Sequence, residues 1–437
     1  MIIYYVSLYQ SSQAMELNSK RIINGWAFFD WANSAYALVI MVAIFPAYFL
    51  AVTSDEVPLG NTMVSNSVLY AYSISFAYMV IVFMSPILSG IADYSNSKKQ
   101  FLKFFTYFGG FCCLALFFFT GDENFWFGLI TSVFAAIGFA GSLVFYNAYL
   151  PEITSEENFD RVSAKGFSYG YIGSVLLLII NLAVIQFHAK LNIDQGLATR
   201  LSFLSVGLWW MGFAQITFRR LPQGGKLSIN RSYIAKGYQE LKQVWIFIKH
   251  KANIKRFLLS FFFYSMGVQT VILLASSFAE KELQFETTEL ILLILILQLV
   301  AIGGAYLFAW VSKKTTNKIS IFIMLSIWVG ICVTAYFVNT SEQFYLLAIL
   351  VGMVMGGIQS ISRSSYSKVI PKKTTDHASY FSFYEVLEKL GIVIGTASFG
   401  LIEHLSGGMR NSILVLAAFF LIGMFFMRKV DIVDSDY

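Results

Sequence analysis

Apolar positions gather into twelve long stretches, at about 24–51, 67–92, 101–120, 124–149, 163–187, 199–218, 254–279, 287–311, 319–338, 343–366, 379–403 and 409–427, with short polar connections between them. About 20 apolar residues cross a hydrocarbon core ~30 Å thick, so each stretch predicts a membrane-spanning helix. Strands of an outer-membrane barrel would instead alternate over about ten residues, which these unbroken runs do not. The charges are sorted between the connections. Of 31 Lys and Arg, 26 fall in the N-terminal arm, the even-to-odd connections, the span ends beside them and the C-terminal tail. Lys190, Arg200, Lys281 and Arg410 lie on the other side, and Lys389 lies within a span. Basic residues near span ends stay in the cytoplasm. The expectation is a polytopic protein of the cell inner (plasma) membrane, with both termini cytoplasmic.

Composition agrees: 57% of residues are hydrophobic, 13% are charged and the mean hydropathy is +0.66. The net charge of +6 follows from the topological bias and predicts a lipid bilayer, not a nucleic acid, as partner. Cys112, Cys113 and Cys332 all fall in spans and read as packing residues, without a disulfide framework or metal spacing. Residues 1–14 lack the basic region and cleavage site of a removed signal, and Met15 reads as an alternative start.

The connection at 219–253 divides the chain. The predicted units are a cytoplasmic arm (1–23), a six-helix bundle (24–218), a linker (219–253), a second six-helix bundle (254–427) and a tail (428–437). Within the linker, Ile234, Tyr238, Leu241, Val244, Trp245 and Ile248 recur at helical spacing, predicting an amphipathic helix on the cytoplasmic leaflet. The halves also repeat faintly. At an offset of 220, Ser142, Tyr146 and Pro151 fall on Ser362, Tyr366 and Pro371. At 219, Asp93, Lys98 and Lys99 fall on Ser312, Asn317 and Lys318, and at 214 Ala164, Phe167 and Ser168 fall on Ala378, Phe381 and Ser382. Two parallel bundles related by an axis along the membrane normal suit alternating access to a site between them.

These residues carry a resemblance. Two sets of six spans around a long central loop look like the major facilitator superfamily, and Ser89-Gly-Ile-Ala-Asp93-Tyr-Ser-Asn96-Ser-Lys98-Lys99 resembles its signature between spans 2 and 3. Ser89 and Asn96 replace glycines of that pattern and Ser97 its arginine. Asn tolerates left-handed backbone, so the turn can survive at position 96. Asp93, Lys98 and Lys99 are therefore expected to form a gating clamp. More specifically, Asp30-Trp-Ala-Asn-Ser-Ala-Tyr36, Leu143 to Glu152, Gly267-Val-Gln-Thr-Val271 and Gly356-Gly-Ile-Gln-Ser-Ile-Ser-Arg363 resemble the bacterial branch of the vacuole-effluxer-like, or unknown major facilitator, family. Its fungal relatives are linked to amino-acid release from the vacuole. The seventh span departs from the pattern, with Ser265-Met266 where Asn-Asp is favoured, and the eleventh is unusually charged.

A charge inside a span costs several kcal/mol unless paired, wetted or neutralised, so intramembrane ionisable residues are functional candidates. Asp30, Glu385, Glu388 and Lys389 are the proton-coupling candidates, all about 8–16 Å inside the cytoplasmic span ends at 1.5 Å per residue. Glu385 and Lys389 can pair at i,i+4, leaving Asp30 and Glu388 without a partner in their own spans. The resemblance implies that spans 1, 4, 7 and 10 line the cavity. Their polar side chains, the expected substrate contacts, are Asn33, Tyr36, Tyr146, Asn147, Tyr264, Gln269, Thr270, Gln359, Ser360 and Arg363. Arg363 suits a carboxylate or phosphate, or else anchors the span end in the headgroups. Trp209 and Trp210 are expected to pack or face lipid.

Enzyme classes find no support. There is no phosphate-binding G-x-x-x-x-G-K-[ST], no G-x-S-x-G elbow and no metal-spaced His pair, so neither a cofactor nor a metal is expected. The leading reading is a monomeric secondary active transporter for a small polar solute such as an amino acid, using alternating access and a proton or other ion gradient. An exporter of amphipathic compounds and a non-transporting receptor or lipid-handling scaffold are the alternatives.

Overall fold

The computed structural model describes residues 17–60, 62–224, 231–406 and 408–432. The start at Met15 and the end of the tail lie outside the described residues. Among the described residues, ten helices are long and apolar enough to cross a membrane. Lys98–Leu116 and His377–Ser406, which carry more charge, complete twelve spans in two six-helix bundles. The chain is a multi-pass membrane protein with the expected helical fold.

The N-terminal bundle comprises Lys20–Val52, Asn66–Tyr94, Lys98–Leu116, Phe125–Asn147, Phe159–Gln186 and Gln195–Arg220. The C-terminal bundle comprises Ala252–Leu283, Thr287–Lys314, Asn317–Phe337, Ser341–Val369, His377–Ser406 and Met409–Met427. Several helices outrun the apolar stretches that predicted them, because their Lys-bearing ends project beyond the hydrocarbon. Across the divide the second span packs on the eleventh and the fifth on the eighth. Exchanging the two halves turns one seam into the other, as the repeat requires.

Within a bundle, small residues set the helix spacing. A Cβ on Gly138 would lie 2.5 Å from the Gly109 Cα, and one on Gly356 would lie 2.0 Å from the Ala301 carbonyl oxygen. Helices can approach so closely only where side chains are absent. The first span is not uniform. Its α-helix Lys20–Ala35 widens into a π-helical stretch, Tyr36–Ala43, before Pro46 opens the helix Phe45–Val52. Pro46 has no N–H for the carbonyl four residues back, and the distorted turn faces the space between the bundles. The 1–2 connection forms an unexpected antiparallel hairpin, Glu56–Leu59 with Thr62–Ser65. Beside it Ser54 ties down Asp122, whose carboxyl is held below the ordinary carboxylate range first by the Ser54 hydroxyl and then by its backbone N–H.

The linker helix Arg231–His250 differs in part from expectation. It docks on protein, beneath the second span, where Gly90 and Gly237 meet backbone to backbone. Val244 and Ile248 are buried there, whereas Tyr238 and Trp245 stay exposed, and Trp245 stacks on Phe383 of the eleventh span at 5.5 Å. Ile234 lies outside the described side chains. A face with bulky apolar residues next to a glycine reads equally as lipid-facing or protein-facing, and the missing side chain at Gly90, where a Cβ would meet the Gly237 carbonyl oxygen at 2.2 Å, decides between them.

At the end of the molecule carrying the termini, two latches join the bundles. The Asp93 carboxylate accepts hydrogen bonds from the backbone N–H groups of Ala378 (3.1 Å) and Ser379 (2.7 Å), capping the eleventh span as an anion at a helix N-terminus. Lys98 pairs with Glu152 and lies 4.0 Å from Asp93, whereas Lys99 donates to the Leu221 carbonyl and crosses to no other bundle. Asn96 has φ 50°, the left-handed turn expected of it. In the second half, Ser312 replaces the acid, and the carboxylate comes from across the divide. Asp160 of the fifth span accepts from Ser312 (2.6 Å), Asn317 (2.8 Å) and Lys368 (2.9 Å). Asp160→Ala is expected to open this end about tenfold more often, since hydrogen bonds to charged groups contribute ~1.5–3 kcal/mol. The check is maleimide labelling of a cysteine placed at the buried Ser365, which should accelerate.

Candidate functional site

Between the bundles lies a cavity of about 220 Å³, lined from Asp30 to Val42 on the first span and from Phe261 to Leu273 on the seventh. Its polar floor is a chain of contacts across the divide, built around Arg363. This side chain is 2% exposed and not an anchor in the headgroups. A guanidinium has five N–H donors, and all five are used. Nε donates to the Ser163 hydroxyl (3.0 Å). Nη1 donates to Asp30 (3.2 Å) and to the Asn147 side-chain oxygen (3.1 Å). Nη2 donates to Asp30 (3.3 Å) and the Ser163 carbonyl (2.9 Å). Phe167 and Trp26 lie 4.2 and 4.7 Å from the guanidinium carbon, in cation–π contact. Every hydrogen-bonding partner belongs to the N-terminal bundle, while Arg363 belongs to the other.

Asp30 also accepts from the Tyr146 hydroxyl at 2.7 Å, and Tyr146 stacks on Trp26 at 4.6 Å. The fifth span comes close against this pair at Gly166, where a Cβ would lie 2.5 Å from the Asp30 carboxylate and 2.8 Å from the Arg363 guanidinium.

Asn147 extends the chain of contacts. Its side-chain N–H donates to Glu385 at 2.7 Å while its oxygen serves Arg363. Lys389 then lies 3.1 Å from Glu385 and 2.9 Å from Glu388, and Gln269 donates to Glu388 at 2.5 Å. Glu388, expected to lack a partner in its own span, thus shares Lys389 with Glu385. The five charged residues line one cavity.

The other expected contacts divide. Asn33, Tyr264 and Gln359 line the cavity, Tyr264 joined to Ser362 at 2.8 Å and Gln359 to Tyr171 at 2.5 Å. Tyr36 turns away to pack on Phe139 and Trp210, and Tyr146 lies beneath the floor. Thr270 faces a separate apolar cavity inside the C-terminal bundle, and the Ser360 hydroxyl bonds back to the Gly357 carbonyl in its own helix. Trp210 is fully buried and Trp209 stacks on Trp31. The second, fifth, eighth and eleventh spans also reach the wall, through Tyr78, Tyr171, Gln298 and the charged trio. Sequence reasoning missed Trp26, Ser163, Gly166, Phe167 and Tyr171. Only the repeat of Ala164 and Phe167 marked that stretch.

The inter-bundle hydrogen bonds among the described residues run from the latches to one helical turn beyond Arg363. The cavity continues past them, away from the terminus-bearing end.

Known proteins share this plan. A model of the vacuole effluxer Atg22-like family matches residues 18–435. The chain belongs to that family. It is 30% identical to an uncharacterized MFS-type transporter, YxiO, of Bacillus subtilis (strain 168), over 93% of this chain and 94% of the relative. Autophagy-related protein 22 of Yarrowia lipolytica is 24% identical over 83% of this chain and 75% of its own. Among solved structures, the proton:xylose symporter XylE aligns with TM-score 0.69 at 14% identity, covering 94% of this chain and 95% of that one. The transporter FucP in its outward conformation aligns with TM-score 0.67 at 13% identity, covering 94% and 99%. The fold is that of the major facilitator superfamily, and this family member is a membrane transporter of that superfamily.

Proposed function

We propose that this family member is a secondary active transporter moving a small polar solute, an amino acid or similar metabolite, by alternating access coupled to protons. It acts as a monomer in the inner membrane with its basic, terminus-bearing end in the cytoplasm. With that orientation, the conformation described is closed to the cytoplasm and its cavity extends outward. One observation carries the reading: a floor of three carboxylates and two cations, each cation paired, lies buried between two bundles joined mainly on one side of it. Rocking the bundles must break the Arg363 contacts, because donor and acceptors sit on opposite halves. A carboxylate that loses its counter-charge in a low-dielectric site takes up a proton, which is how a conformational step can carry one.

Asp30 is the coupling residue in this scheme, since its counter-charge lies across the moving interface. Asp30→Asn is expected to abolish accumulation driven by a pH gradient in proteoliposomes while leaving downhill exchange measurable. Full gradient-driven accumulation by the variant would remove Asp30 from the proton path. The walls above the floor are apolar, including Leu38, Met41, Phe139, Leu143 and Met355, which favours an amphipathic solute as a second reading. Thermal-shift screening of the purified protein separates the two, because a ligand stabilises in proportion to RT ln(1 + [L]/Kd).

A further inference from the structure

The transporter reading leaves the charge of the solute open, and the cavity floor narrows it. Arg363, the residue best shaped for a carboxylate, has no donor left: its five N–H groups are committed within the protein and its faces meet Phe167 and Trp26. Lys389 stands between Glu385 and Glu388, within 3.1 Å of both. Among the residues lining the cavity, Asp30, Glu385 and Glu388 are the acids and Arg363 and Lys389 the bases. The ionised floor therefore has one negative charge in excess, and low-dielectric walls focus its field into the cavity.

A second, independent observation concerns neutral groups. The Asn33 side-chain N–H and the Ser265 hydroxyl line this cavity, are 1% and 2% exposed, and have no hydrogen-bond partner among the described residues. Buried polar groups normally have partners, and an unmet one costs ~1–3 kcal/mol. Ser265 lies one helical turn from Gln269, which holds Glu388, so orphaned hydroxyl and acid share one stripe of the cavity.

We propose that the solute is recognised through a cationic amine placed at Glu388, with an acceptor oxygen elsewhere on it received by Asn33 and Ser265. The solute class is thus cationic or zwitterionic, and carboxylates without an amine are excluded. This rests on the transporter reading and adds to it the sign of the charge and the residue that reads it.

The test uses the full chain in detergent with two matched trios. They are alanine, ethylamine and propionate, and phenylalanine, phenethylamine and 3-phenylpropionate. Amine-bearing members of at least one trio should raise the melting temperature in a dose-dependent way, and the deaminated acids should not. Glu388→Gln should weaken that response about tenfold or more, the range expected for losing a hydrogen bond to a charged group. Glu388→Asp, which keeps the charge, should retain it and controls for folding. Stabilisation by the acids equal to that by the amines, no response from either trio, or an unchanged amine response in Glu388→Gln would overturn the proposal. Flux assays with the same compounds keep the two readings apart. Transport of propionate or 3-phenylpropionate with the amines inert defeats this inference but not the transporter, whereas absence of gradient-driven flux of any solute defeats the transporter reading.

Discussion

Arg363→Gln should destabilise the protein by about 3–5 kcal/mol and abolish solute flux, the largest effect expected of any single change at the site. The substitution leaves the Asp30 carboxylate in a buried interface with only the Tyr146 hydroxyl, and removes the contacts to Ser163 and Asn147. Arg363→Lys should restore little, because an ammonium offers three donors in place of five and cannot span Asp30, Asn147 and Ser163 in one plane. The double variant Asp30→Asn with Arg363→Gln removes both charges. It should recover most of the stability, since replacing a whole buried pair is often near neutral, but none of the coupled flux. Melting in detergent and proteoliposome uptake read the two properties separately. An Arg363→Gln protein that melts with the wild type would mean that the knot does not hold the bundles together.

The second large effect lies away from the site. Gly356→Val is expected to prevent assembly of a folded C-terminal bundle. The added Cβ would meet the Ala301 carbonyl oxygen at 2.0 Å, and Gly304 makes the reciprocal approach to the Met353 carbonyl at 2.0 Å. Both obstacles are backbone, so relief requires moving the eighth and tenth spans apart. Overpacking against movable side chains costs ~1–3 kcal/mol, and a clash with helix backbone should exceed that. Gly303, beside Gly304 in the eighth span, supplies the control. A Cβ there meets nothing within 4 Å, and Gly303→Ala should fold normally. Size-exclusion profiles of the three proteins decide the matter. A monodisperse Gly356→Val peak would show that the helices can yield.

Legibility in the sequence followed the range of the interactions. Spans announce themselves locally, because bilayer thickness fixes their length and a run of apolar residues meets it without help from the rest of the chain. Asp93 and Asn96 were readable because a loop motif keeps its residues adjacent. Arg363 was ambiguous for a definite reason: a long cationic side chain near a span end can reach the headgroups or turn inward, and only partners 200 to 333 residues away settle which. Asn147 gave no sign of bridging two charge clusters, since a lone amide in a span is an ordinary polar residue until Glu385 arrives from the other half. The loss of the acid at Ser312 looked like decay of a copied motif. The fold replaces it with Asp160 from the opposite bundle, a substitution across space that offset comparison does not detect.

The sequence by itself therefore determined that twelve helices cross a bilayer, that they form two related sets of six, and that a few charges remain inside. Each of these follows from solvation of nearby residues in lipid or water, a property carried by short segments. Tertiary structure alone decided which charges meet, which polar groups line a common cavity and which donors are already spent. Those outcomes depend on the rotation of each helix about its axis and on the approach of one bundle to the other. Both are fixed by packing at glycines and by pairings between distant parts of the chain, which no local pattern of hydrophobic and polar residues specifies.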